Sequence, residues 1–219
     1  MFGKKGTKVK AMLLHEKGVA FQSRGRFEEA RKELIAAVKA WRKAKDKDGL
    51  AASLSQLAQV HFQLQDGANA IKCVRESSVI RTELNDFRGL SIDYQLIGTI
   101  MMAVGQSQEA FGLFRDALGL ATGLEDDGLK AGALANLGLV SLSSGMHDEA
   151  EQFFKQSQEL RKKLRDRLGI AKNLNHLGKV MEARGKRDEA GRLYRESLSL
   201  LRELGSPEAE IAADNLRRL

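Results

Sequence analysis

The sequence predicts an all-α fold: a right-handed superhelical solenoid of five helix-turn-helix units followed by a C-terminal capping helix. Three observations predict it. Positions 18, 58, 98, 138 and 178 read Gly, Ala, Gly, Gly, Gly, so a small residue recurs every 40 residues. Ala30, Ala70, Ala110, Ala150 and Ala190 follow 12 residues further on, without exception. Between these columns stand Gly25, Gly105, Gly145 and Gly185, with Gln65 as the one departure. A fixed period of this length marks a solenoid, in which each unit buries its apolar face only against its neighbours.

Composition agrees. The 219 residues are 42% hydrophobic and 30% charged, the balance of a folded chain rather than a disordered one. No stretch approaches the roughly 20 apolar residues that a membrane helix needs. The segment from Met1 to Lys10 is basic, but no apolar signal core follows it. The single Cys73 cannot form an internal disulfide, which fits a reducing, cytoplasmic setting. The net charge of +7 is unevenly spread. Residues 1–48 carry 14 basic and 6 acidic residues, 49–126 carry 5 and 9, and 127–219 carry 17 and 14. The ends are basic and the middle is acidic.

Taken in order, residues 1–7 read as a basic tail. The five units occupy 8–47, 48–87, 88–127, 128–167 and 168–205. The first is the least regular, with Lys17 where Leu137 and Leu177 stand in later units, as expected of a terminal repeat. The second and third carry the same columns as the rest. The fourth shows the construction most plainly. Ala133, Leu134, Leu137, Val140 and Ser141 recur at helical spacing and form one apolar stripe. Gly138 lies within that stripe. Because a helical glycine costs about 1 kcal/mol, its presence predicts a close helix crossing. Ser143, Ser144 and Gly145 end this first helix, Gly145 suiting a left-handed cap. Asp148 and Glu149 place negative charge at the start of the second helix, where its dipole favours them. Ala150, Phe154, Ser157 and Leu160 form the second stripe. Phe154 corresponds to Leu34, Val74, Phe114 and Tyr194, and Ser157 to Ala37, Ser77, Ala117 and Ser197. Small and large residues thus alternate at fixed offsets, as interlocking helices require. After the fifth unit, Gly205, Ser206 and Pro207 end one helix and open another. In that cap, residues 206–219, Ile211, Ala212 and Leu216 fall on one side and Glu210, Asp214 and Arg217 on the other.

The pattern resembles the tetratricopeptide repeat. Leu137-Gly138, Ala150, Phe154 and Ser157, and again Leu177-Gly178, Ala190, Tyr194 and Ser197, match its large-small pair, its small residue opening helix B, its aromatic and its second small residue. The resemblance covers essentially residues 8–205 and departs in two ways. The unit is 40 residues rather than about 34, which suggests that helix B and its connector are longer. The family's proline near the end of helix B is replaced by Arg42, Thr82, Thr122, Lys162 and Arg202. The long unit is similar to repeats in polarity adaptors, kinesin light chains and many bacterial regulators.

No catalytic chemistry is legible, and neither an enzyme nor a cofactor or metal is expected. His15, His61, His147 and His176 lie in four different units at non-equivalent positions. Only His147 has a candidate metal ligand one helical turn away, Glu151, and a single pair falls short of a site. Cys73 sits beside Val74 on a helix B stripe, where a structural thiol is expected. The glycines follow the repeat period rather than a phosphate-cradling loop. No small-molecule substrate is expected either.

What the resemblance implies is a non-catalytic adaptor or scaffold that binds a peptide or partner helix along a concave groove lined by the A helices. It places Gln56, Gln59, Phe62, Gln95, Thr99, Met102, Asn136, Leu139, Lys172, Asn175, His176 and Lys179 in that groove. Amides suit an extended peptide because they satisfy its backbone donors and acceptors. Phe62, Met102 and Leu142 would form an apolar floor, and Lys172, His176 and Lys179 would meet an acidic segment. The comparison reading of these amides is an idle solvated helix face. Self-assembly into a homo-oligomer, head to tail through the uneven charge, is the alternative function. Nucleic-acid binding through the basic first unit ranks last, because Trp41 is the only exposed aromatic expected there for base stacking.

Overall fold

A computed structural model of the protein describes residues 2–219, with side chains from Lys5 onward. Eleven helices account for the described fold, and no strand occurs among the described residues. They are α1 (Phe2–Ser23), α2 (Phe27–Ala44), α3 (Lys47–Gln63), α4 (Gly67–Leu84), α5 (Phe87–Ala103), α6 (Ser107–Gly123), α7 (Asp127–Ser143), α8 (His147–Lys163), α9 (Arg167–Ala183), α10 (Arg187–Glu203) and α11 (Ala209–Arg218). Odd helices are the A members of helix-turn-helix pairs and even helices the B members. Two compact units result. One runs to Gln106 and holds α1–α5; the other, Ser107–Leu219, holds α6–α11.

The repeat columns are the core. All five alanines of the Ala30 column are fully buried, as are Leu34, Val74, Phe114, Phe154 and Tyr194 four residues on. The glycine column has the predicted cause. A Cβ on Gly138 would lie 2.7 Å from the Phe154 ring, and one on Gly178 would lie 2.4 Å from the Tyr194 ring. In each pair the aromatic of helix B lies flat where helix A has no side chain. Of the Ser157 column, Ser77, Ser157 and Ser197 turn their hydroxyls inward and donate to the carbonyls of Ala51, Ala131 and Ala171. A small hydroxyl there ties each helix B to the helix A of its own unit.

The family departure in length resolves differently from expectation. Every helix from α5 to α10 has 17 residues, and the connectors among them are short. From α5 onward the A and B helices of a repeat are therefore equally long. At the N-terminus, α1 already starts at Phe2, so the segment expected as a basic tail continues the first helix; nothing is described of Met1. At the C-terminus, α11 starts at Ala209, two residues after Pro207, with the Ser206 hydroxyl accepting from the Glu208 amide at 3.3 Å. Ala212 and Ala213 are its buried face, whereas Ile211, expected on that face, is 52% exposed.

One column of caps escaped the sequence reading. Asp46, Asp86, Asp126 and Asp166 stand 40 apart, and each accepts a hydrogen bond from the amide three residues on, at the start of the next helix A. That is the N-cap bond in its usual form, worth about 1 kcal/mol. The residue before each cap takes a left-handed conformation: Lys45, Asn85, Glu125 and Arg165 all have φ between 54° and 57°. Only asparagine among them tolerates this well. Arg165→Gly and Glu125→Gly are therefore expected to stabilise the chain, by about 0.5–1 kcal/mol each. Chemical denaturation of the two variants checks this; a loss of stability would mean that their side chains carry contacts that outweigh the backbone strain.

Candidate protein-binding surface

In the first unit, α1, α3 and α5 present their sides to one another through hydrogen bonds between helix A members. His15 Nδ1 lies 2.9 Å from Ser53 Oγ, Gln22 donates to Gln59 at 3.2 Å, and Ser55 donates to Asp93 at 2.7 Å. Two of the amide-row residues are thus partly engaged: Gln59 holds Gln22, and Thr99 donates back to the carbonyl of Gln95 at 2.8 Å. Gln56, Phe62, Gln95 and Met102 are partly buried, neither free nor sealed. His61 is buried, with Nδ1 3.0 Å from Asp66 Oδ2.

Asp93 is the unusual group in this unit. It is fully buried, accepts from Ser55, and lies 3.1 Å from Nε of Arg81. Burial pushes its carboxyl above the usual range, against the hydrogen bonds of Ser77 and Ser55 and the charge of Arg81, which pull it down. Arg81 also reaches Asp86 at 2.5 Å and the Ser77 hydroxyl at 3.1 Å. The same device recurs 80 residues on. Arg161 reaches Asp166 at 2.6 Å and Ser157 at 3.2 Å, and Asn173, fully buried, takes the place of Asp93 and donates to Ser157 at 2.8 Å. Gly89 and Gly169 leave room for these guanidiniums, since a Cβ on either would overlap the arginine. Trp41, Ala121 and Leu201 occupy the arginine column in the other joints, so two kinds of joint alternate.

In the second unit the fifth-repeat residues converge. Lys172, Asn175, His176 and Lys179 on α9 line one hollow of about 180 Å³ together with Leu201, Glu208 and Ile211. Lys172 Nζ is 2.7 Å from Glu208 Oε1. Asn175, expected in an open groove, is instead buried, its side-chain oxygen accepting from Asn215 of α11 at 2.9 Å. His176 stacks on Phe154, ring centroids 5.2 Å apart and 17° from parallel. Its Nδ1 is sealed off without a hydrogen-bond partner. Burial drives its pKa down to about 4, helped by the positive charges of Lys179, Arg161 and Lys172, so the ring is neutral at pH 7. Lys179 has no carboxylate partner among the described residues. Asn136 and Leu139 lie partly buried on α7, and Leu139 and Leu142 pack on the Phe154–Tyr194 core. The chemistry at hand is that of a wall with amides, aliphatic groups and surplus positive charge. No group of three or more His, Cys, Asp or Glu among the described residues is arranged to hold a metal ion. No helix among them is long and apolar enough to cross a membrane.

The sequence pattern of the tetratricopeptide repeat matches residues 10–83, 90–163 and 130–203. The chain belongs to the tetratricopeptide repeat family. Each match spans two successive repeats of the chain. Solved tetratricopeptide-type structures agree on the fold. BtubC from P. vanneervenii is 17% identical, with a TM-score of 0.76 over 91% of this chain and 82% of its own. A Podospora anserina putative kinesin light chain with nearly identical repeats is 18% identical, with a TM-score of 0.69 over 90% and 97%. A Rap protein solved with Competence and Sporulation Factor is 19% identical, with a TM-score of 0.83 over 95% of this chain but 57% of its own. The chain thus spans little more than half of that protein. No match was found among curated proteins at the sequence level.

Proposed function

We propose that this tetratricopeptide repeat protein is a non-catalytic adaptor that holds a peptide or partner helix against an A-helix surface. The observation that carries the reading is the convergence of Lys172, Asn175, His176 and Lys179 on one hollow beside an unpaired lysine. A cationic hollow with an aliphatic rim suits an acidic segment, because lysine and carboxylate form charge-assisted hydrogen bonds. Asn136, Leu139 and Leu142 would extend the contact along α7. In the first unit Gln56, Gln59, Gln95 and Thr99 would bond the ligand backbone, and Phe62 and Met102 would take its apolar side chains. The Rap neighbour, solved in complex with Competence and Sporulation Factor, is a fold-level parallel for a ligand-binding role. A cytoplasmic setting belongs to the proposal, Cys73 being a free thiol.

The test compares the native chain with an Asn136→Ala, Lys172→Ala, Lys179→Ala variant in capture from a cell lysate. A protein retained by the native chain and lost by the variant, with helicity unchanged, is expected. Equal retention would move binding off this surface.

Self-assembly is a second reading, favoured by the exposed row Val9, Met12 and Leu13 on α1, with Leu13 57% exposed. Salt-dependent sedimentation separates the two, since a monomer at all concentrations removes it.

A further inference from the structure

We infer that α11 is a built-in competitor for the acid-binding hollow, with Glu208 standing where a ligand carboxylate would stand. The inference rests on the reading of the hollow lined by Lys172 and Lys179 as acid-binding. Two polar contacts from one short segment meet Lys172 and Asn175, and an aliphatic side chain lines the hollow beside them. Glu208 pairs with Lys172, Asn215 donates to Asn175, and Ile211 borders the hollow between them. A carboxylate, an amide and an aliphatic side chain are the groups an acidic peptide would present.

The register explains how the chain comes to imitate its ligand. Asn175 and Asn215 stand 40 apart, so α11 lies in the register of a sixth A helix. α11 packs on α10 and touches α9 through Glu208 and Asn215. Its grip is small. It has 10 residues, no side-chain hydrogen bond at its N-cap Glu208, and only two buried side chains, both alanine. Leu216 and Leu219 add partly buried contacts to the Phe154–Tyr194 core. Helices this short are marginal without packing, and elements with few buried apolar contacts open first.

Charge favours exchange over a permanent seal. Glu208 neutralises Lys172 and leaves Lys179 without a carboxylate. A ligand with two carboxylates satisfies both lysines, where Glu208 satisfies one. The Lys172–Glu208 pair is also open to solvent, its side chains 40% and 37% exposed, so it is weak enough to be displaced. The ligand class is therefore a peptide segment with closely spaced carboxylates and an aliphatic residue between them.

The experiment uses the full chain and a fluorescein-labelled eight-residue peptide of alternating Glu and Leu, with a Gln-for-Glu peptide as control. Anisotropy is expected to report binding of the acidic peptide to the native chain, tightened about two- to fivefold in Glu208→Gln and weakened in Lys172→Met. Equal or weaker binding by Glu208→Gln overturns the competitor. If neither chain prefers the acidic peptide to its control, the acid-binding reading fails and the competitor with it. A second measurement needs no variant. Hydrogen exchange at the amides of 209–218 in the native chain is expected to accelerate when the acidic peptide is added; unchanged or slowed exchange would show that α11 stays in place and contradict the inference.

Discussion

Replacing Phe154 with alanine is expected to cost the second unit about 3–5 kcal/mol. Phe154 is fully buried in a cluster with Leu177, Val180, Met181 and Tyr194. Its ring faces Gly138 on one side, where a Cβ would lie only 2.7 Å away, and His176 on the other. Gly138 offers no side chain to collapse into the void, and His176 loses the surface that orients it. The cost should therefore sit at the upper end for an aromatic truncation, and ligand capture should suffer along with stability. Urea titration followed by circular dichroism checks the first part. A loss below about 1 kcal/mol would mean that the joint repacks and that the glycine–aromatic pairing is not what holds the two helices of the repeat together.

The second large effect is a pH dependence centred on His176. Its pKa falls from 6.5 to about 4 on folding, so the unfolded chain takes up a proton where the folded chain does not. Stability from this group is full above the unfolded value near 6.5 and is lost as pH falls from there towards 4. Over that window the loss is on the order of 3 kcal/mol at most. His176→Phe keeps the stack on Phe154 and removes the proton site. The native chain is expected to lose stability between pH 7 and pH 5, and the variant to lose much less. Paired carboxylates do not confuse this comparison. Glu151, held below its usual range by Lys155 and Arg184, gives up its contribution only at lower pH. Parallel slopes for the two proteins would show that the histidine is protonated in the folded state.

Much of the fold was legible because its joints are made by single residues at fixed spacing. Gly138 and Phe154 could be paired by reading two columns, since close approach leaves a gap in one helix and a ring in the other. The Asp46, Asp86, Asp126 and Asp166 caps carried the same period and were equally readable. The candidate surface was less legible. Whether Gln59 or Asn175 is free depends on bonds to Gln22 and Asn215, which lie 37 and 40 residues away and meet them only through the lateral spacing of A helices. No local pattern encodes that spacing. Ile211 fell on the wrong side of α11 for a related reason. The helix begins at Ala209, and its two small alanines, not its largest aliphatic residue, allow it to lie close to α9 and α10. The alternation of joints built on Arg81 and Arg161 with joints built on Trp41, Ala121 and Leu201 shows the same limit. A 40-residue average hides an 80-residue pattern.

The most direct test of the account is selection from a random peptide library on the immobilised native chain, followed by measurement of each enriched peptide against the Asn136→Ala, Lys172→Ala, Lys179→Ala variant. Enriched peptides rich in Asp, Glu and aliphatic residues, at least tenfold weaker on a variant that melts as the native chain does, are the expected result. Enriched peptides without acidic residues, or ones that bind the variant as tightly as the native chain, would contradict it.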